Sequence, residues 1–177
     1  MYPSDKIVDL GTLTTICQNH RRAGGGEIVL TSGCFDLIHP GHIHYLCEAA
    51  RRGNLVVGIN SDAFVKRLKG PSRPILGEKD RAFVVASFFP VWLVVVFDDD
   101  YALIEAVRPR TYVASMTSTT RIWDDEKRVL LLAGMSAQIV EMGKGKADST
   151  TDIIGRVAKV IENDDSGPAP VLAAVAG

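Results

Sequence analysis

Three short runs of unbroken apolar sequence constrain this chain more than any other feature: EIVLTSG (27–33), NLVVGIN (54–60) and WLVVVF (92–97). A strand with one wet face alternates apolar and polar residues. These runs do not alternate, so both of their faces must be covered. Two weaker runs, TYVAS (111–115) and AQIVEM (137–142), are of the same kind. Between them lie stretches with apolar residues at helical spacing, at about 41–52, 78–89, 101–107, 124–132 and 150–161. A further helix is expected from Asp5 to Arg22, capped by Ser4 and broken by AGGG (23–26). Strand alternating with helix predicts an α/β fold, a doubly wound parallel sheet of five strands with helices on both faces.

The 177 residues suit one domain over 1–163, with 1–26 as an N-terminal helix and linker. The end, DDSGPAPVLAAVAG (164–177), is small, Pro-containing and without period, and is expected to be a disordered tail. Lys and Arg (20) nearly cancel Asp and Glu (21), so charge gives no reason to expect nucleic acid as a partner. No apolar run approaches the roughly 20 residues that span a bilayer, and MYPSDKIVDL has no basic region ahead of an apolar stretch. Cys17, Cys34 and Cys47 form no disulfide framework. A cytoplasmic protein with no membrane partner is expected.

In a doubly wound sheet, ligands bind beyond the carboxyl ends of the strands. The stretch TSGCFDLIHPGH (31–42) falls there, between the first strand and its helix. Pro40 suits the first helical turn, and Gly41 lets a ligand approach the backbone. His39 and His42 then flank a helix amino terminus, whose free N–H groups and positive dipole end attract phosphate. Two imidazoles beside a phosphate can donate hydrogen bonds to oxygens that gain charge in a transition state. The competing reading is a zinc site built from the two histidines with Cys34 and Cys47. It is disfavoured because Cys47 shares a stripe with Ile43, Leu46 and Ala50, read as the core face of the helix, and Cys34 has no cysteine partner at finger-like spacing. His20 and His44 are expected on the surface. FDDD (97–100) is read as a helix cap before YALIEAV, not as a metal site.

GCFDLIHPGH resembles the signature of the cytidylyltransferase-like nucleotidyltransferases, and three further stretches resemble that family in order. NSDAFVKRLKGPSRP (60–74) is similar to the heptose-1-phosphate adenylyltransferase branch, EKDR (78–81) to the family's triphosphate-gripping arginine, and KADSTTDII (146–154) to its closing Ser-Thr-Thr motif. The resemblance covers roughly 27–160 and implies a Rossmann-like fold. It also implies transfer of a nucleotidyl group from CTP or ATP to a small phosphorylated acceptor, with release of pyrophosphate. His39 and His42 would contact the triphosphate, and Arg81 and Lys69 would bind phosphate. Thr31, Gly33, Cys34, Phe35 and Gly41 would line the nucleotide, with Ser149 and Thr150 opening a second phosphate-binding helix behind Gly143, Lys144, Gly145 and Lys146. Asp36 would orient a histidine, hold Mg²⁺ or meet the acceptor, the metal being carried mainly by the phosphates. A homodimer is implied by the same resemblance.

The chain departs from the family at TYVASMTSTTR (111–121). Relatives carry a Gly-Asp element there; this chain has Ala114, Ser115, Met116 and Thr117. Loss of that carboxylate, with Lys69 and Arg121 nearby, predicts a compact anionic acceptor such as a phosphate ester or phosphonate, and the same lost element with the lysine-bearing loop before Ser-Thr-Thr-Asp places CTP ahead of ATP. The alternatives are adenylyl transfer to a sugar phosphate such as heptose 1-phosphate, and a nucleotide-binding module without catalysis.

Overall fold

The computed structural model describes residues 2–116, 122–143 and 149–163. The five apolar runs form β1 (Ile28–Gly33), β2 (Asn54–Asn60), β3 (Val91–Phe97), β4 (Thr111–Ser115) and β5 (Gln138–Met142). They make one parallel sheet in the order β3-β2-β1-β4-β5, so the winding reverses beside β1, between β1 and β4. The expected fold class is the observed one.

The strands alternate which layer they feed. Leu55, Val57 and Ile59 point to a layer with Tyr45, Leu46, Ala82 and Val85. Their neighbour Val56, with Leu30 and Val95, points to the opposite layer with Leu13, Cys17, Leu103, Ile104 and Leu132. Helices α2 (Pro40–Ala50) and α4 (Glu78–Ala86) cover the first face; α1 (Leu10–Arg22), α5 (Asp100–Val107) and α6 (Glu126–Gly134) cover the second. Strands β1 to β4 are buried on both faces, which explains their unbroken apolar sequence, while the edge strand β5 is only partly covered. Gly58 is the gap in this pattern: a Cβ there would lie 2.5 Å from Leu103 and 2.9 Å from the Phe97 ring.

Three expectations change. The first helix begins at Leu10, capped by Asp9, whose carboxylate accepts from the Thr12 amide at 2.9 Å and the Thr12 hydroxyl at 2.6 Å. Residues 3–6 form a separate short 3-10 turn; Ile7 then bridges Val94, and the Val8 amide donates to the Val94 carbonyl at 2.9 Å. This segment covers the exposed edge of β3, where unpaired backbone groups would otherwise recruit another strand. Second, Lys66 and Lys69 after β2, outside the helices expected from the sequence, lie on a helix, α3 (Asp62–Lys69). Ser61 caps it, and Val65 is its one buried residue. Third, the buried face of α2 is Gly41, His42, Tyr45, Leu46 and Ala49, while Ile43 and Cys47 are exposed. The Tyr45 hydroxyl decides that rotation: it reaches through the core to the Val113 carbonyl at 2.9 Å and to the Thr31 hydroxyl at 2.6 Å. Burial pushes its pKa up, so it stays a neutral donor.

Candidate active site

The carboxyl end of β1 leads into Cys34 and then Phe35, which sits at φ 45°, a left-handed conformation unusual for an aromatic residue. That turn folds the Phe35 ring back over Gly33, where a Cβ would stand 3.1 Å from it. The ring also lies 5.3 Å from that of His42. His39 is the N-cap residue of α2, and its ring stacks on His42 with centroids 3.8 Å apart and planes 32° apart. Both imidazoles are almost fully buried, at 3% and 6% exposure. The two histidines therefore form a single preorganised pair at a helix amino terminus, in surroundings where a donated hydrogen bond counts for more than in water.

A second helix terminus meets the first. Helix α7 (Thr150–Asn163) begins with the Thr150 hydroxyl donating to the Leu37 carbonyl at 3.3 Å. The Ser149 amide and hydroxyl donate to the Asp152 carboxylate at 2.8 and 2.6 Å, and the Asp152 amide returns a bond to the Ser149 hydroxyl at 3.2 Å. This is a capping box, which the Ser-x-x-Asp spacing of 149–152 favours. The Ser149 bonds hold the Asp152 carboxyl below its usual range, with lesser contributions from the Arg156 charge and then His39. Ser149 and Thr150 thus stand beside the histidine loop, as the motif order implies.

Other expected site residues take different positions. Arg81, expected to grip phosphate, is fully buried. Its Nε donates to the Leu76 carbonyl at 2.9 Å, one Nη to the Cys34 carbonyl, and the other to the Asn60 carbonyl at 2.7 Å and the Asp62 carboxylate at 2.8 Å. It ties the ends of β1 and β2 and the loop before α4 together from inside the protein, which corrects its reading as a triphosphate contact. Asp36, expected at metal or acceptor, is buried and occupied too. It accepts from Arg73 at 2.7 Å, from the Ile75 amide at 2.9 and 3.1 Å, and from the Leu76 amide at 3.0 Å. Together, Arg81 and Asp36 lock loop 70–77 to the histidine loop.

Thr31 lies inside the sheet, paired with Val57 and Val113, and its hydroxyl donates to the Val113 carbonyl at 2.9 Å. It is therefore a core residue that fixes Tyr45 and not a wall of the site. Lys69 is exposed on the last turn of α3; among the described residues no hydrogen bond or ion pair joins it to the histidine pair. Arg121, Thr117, Lys144 and Lys146 lie outside the described residues. For Mg²⁺ the fit is poor on the protein side: both Asp36 oxygens already accept, and among the described residues no group of three His, Cys, Asp or Glu converges.

One polar hub was not legible in advance. Ser32, near the end of β1, bonds the Tyr112 hydroxyl at 3.0 Å and reaches Asp100 at 3.5 Å, and Arg128 pairs with Asp100 at 2.7 Å and with Asp125 at 3.2 Å. Burial pushes the Asp100 carboxyl up, and the Arg128 charge opposes that shift. Asp99 provides the helix cap read from FDDD, accepting from the Tyr101 amide at 2.8 Å. The role of Asp100 depends on an arginine 28 residues on, which no local pattern announces.

The model of the cytidylyltransferase-like family matches residues 30–156. The chain belongs to that family. The match takes in both histidines, the Arg81 clamp and the cap of α7, while the edge-covering segment and α1 lie ahead of it. Among curated relatives, the "Bifunctional protein HldE" of Caulobacter sp. (strain K31) is 43% identical over 158 residues, covering 86% of this chain and 31% of that protein. The protein of the same name from Syntrophotalea carbinolica is 41% identical over 141 residues, covering 77% of this chain and 28% of the relative. The chain therefore spans about a third of these relatives' length. Among solved structures, a lipopolysaccharide core biosynthesis protein from Thermoplasma volcanium superposes with a TM-score of 0.59 at 26% identity, covering 67% of this chain and 97% of that one. The matched region includes the buried histidine pair at the head of α2.

Proposed function

We propose that this protein transfers an adenylyl group from ATP to a sugar phosphate of the heptose 1-phosphate type, releasing pyrophosphate. The observation that carries nucleotidyl transfer is the stacked, buried His39–His42 pair at the amino terminus of α2, faced by the capped start of α7. The choice of ATP rests on the relatives named HldE and on NSDAFVKRLKGPSRP, which resembles the adenylyltransferase branch. These weigh more than the departure at Ala114–Met116, from which CTP and a compact anionic acceptor were expected.

An ionised oxygen of the acceptor phosphate attacks the α-phosphorus of ATP; that P–O bond forms as the bond to pyrophosphate breaks. The acceptor is already ionised, so no protein nucleophile or strong base is required. His39 and His42 donate to triphosphate oxygens that gain charge, and the amino termini of α2 and α7 orient the chain of phosphates. Lys69, exposed at the end of α3, would reach toward phosphate. Mg²⁺ would arrive with the triphosphate and neutralise its charge, since the Asp36 carboxylate is already engaged by Arg73 and the 75–76 amides.

Pyrophosphate release decides the reading. ATP and CTP are each offered with heptose 1-phosphate, glycerol 3-phosphate and a small phosphonate. Fastest release with ATP and heptose 1-phosphate is expected. A preference for CTP with the compact acceptors would restore the reading drawn from residues 114–117. Triphosphate binding with no release from any pair would make the protein a nucleotide-binding module.

A further inference from the structure

Four polar side chains meet at the seam between β1 and β4, where the winding of the sheet reverses, and the reaction proposed above uses none of them. Ser32 of β1 and Tyr112 of β4 share a hydrogen bond of 3.0 Å across the seam. Asp100, in the first turn of α5, divides its carboxylate. Its Oδ1 accepts from the Ser32 hydroxyl at 3.5 Å, and its Oδ2 accepts from Arg128 at 2.7 Å. Arg128 is held in turn by Asp125, the N-cap of α6, at 3.2 Å. The Tyr101 hydroxyl donates to that same Asp125 carboxylate at 3.1 Å.

Packing alone does not call for this arrangement. The Asp100 and Arg128 side chains are 13% and 11% exposed, and an ion pair so enclosed is often no more stable than apolar residues of the same volume. Arg128 also keeps its Nε buried with no hydrogen-bond partner among the described residues, which lowers stability further. What the network accomplishes is to hold the Ser32 hydroxyl from two directions. Ser32 stands directly before the turn that builds the histidine site. Gly33 follows it, Phe35 takes its left-handed conformation and lays its ring on Gly33, and that ring lies 5.3 Å from His42. We infer that the Asp100–Arg128 pair is a positioning device for the histidine site. Arg128 orients the Asp100 carboxylate, Asp100 holds Ser32, and Ser32 sets the root of the turn that places Phe35 against His42. The inference rests on the reading of His39 and His42 as the triphosphate-binding pair, and it gives neither Asp100 nor Arg128 a contact with substrate.

Steady-state kinetics and NMR on the full chain test it together. Asp100→Asn is nearly isosteric and removes the charge that holds Arg128; Arg128→Met removes the partner. Each is expected to lower kcat about tenfold, the scale of a small misalignment of a positioned group, with little change in the KM for triphosphate. Because Asp100 acts through Ser32, Asp100→Asn costs nothing further in a Ser32→Ala background. Arg128→Lys, which keeps a charge beside Asp100, recovers most of the rate. The His42 ring, lying near the Phe35 ring, gives a readout that needs no turnover. In proton–carbon spectra its Cε1–H signal moves the same way in Asp100→Asn and Ser32→Ala, and stays near the wild-type position in Arg128→Lys. Folded variants that melt lower but keep the wild-type kcat and His42 signal make the pair purely structural and overturn the inference. A raised KM at unchanged kcat, or additive losses in the double variant, overturns it equally. A moved His42 signal in a protein that releases no pyrophosphate from any substrate pair upholds the positioning and removes the proposed reaction instead.

Discussion

His42 and Arg81 are both buried, both basic and both in motifs that resemble the family, yet their surroundings give them opposite duties. The His42 ring stacks between aromatic rings, with His39 at 3.8 Å and Phe35 at 5.3 Å. Its removal is expected to lower turnover by about two to three orders of magnitude, the scale of losing one charge-stabilising donor. His42→Asn is the variant to use, because it keeps much of the volume against Phe35. Near-normal kcat in that folded variant would take the histidine pair out of the chemistry. Arg81 instead spends its guanidinium on three carbonyls and the Asp62 carboxylate. Arg81→Ala strands those groups in the interior, so urea denaturation should show a loss of roughly 3–5 kcal/mol. An unchanged midpoint with a raised Michaelis constant for triphosphate would return Arg81 to the ligand. The sequence marked both residues as unusual. It did not separate them, because the partners of Arg81 lie at 34, 60 and 76, on three different segments.

Among the elements, α7 was the most legible at its start. Ser149 and Asp152 announce a capping box, and the box is there. Because the folded state holds the Asp152 carboxyl below its unfolded value of 3.8, the box contributes stability above that pH and loses it as pH falls through the lower folded value. Amide hydrogen exchange in the first turn of α7 should therefore accelerate on acidification before that of α2 does. Asp152→Asn should remove the difference; equal protection of the two helices down to about pH 2 would show that the box contributes nothing. Helix α3 escaped the sequence reading because eight residues with one buried position carry too little periodicity to stand out from a basic loop. In α2 the helix itself was legible but its rotation was not. The stripe Ile43, Leu46, Cys47, Ala50 is a fair apolar face; the hydroxyl of Tyr45, needed at Thr31 and Val113, turned the helix by about one position.

At the scale of the molecule, the double burial of the strands was written in the unbroken runs of Val, Leu and Ile. The order of the strands was not, since a parallel strand reads alike in the centre and near an edge. The central strand is also the first: β1 pairs with β2 close behind it and with β4 across 82 residues, from Thr31 to Val113. Synthesis therefore delivers the histidine loop before β4, on a strand whose second neighbour does not yet exist. Leu30 and Leu13 wait equally long for Leu103, Ile104 and Leu132, which close their layer. Until β4 emerges, the nascent chain carries an unpaired inner edge and an uncovered apolar face, and a long loop must close before either is satisfied. That interval is when an unpaired edge and exposed apolar surface leave the chain most open to aggregation.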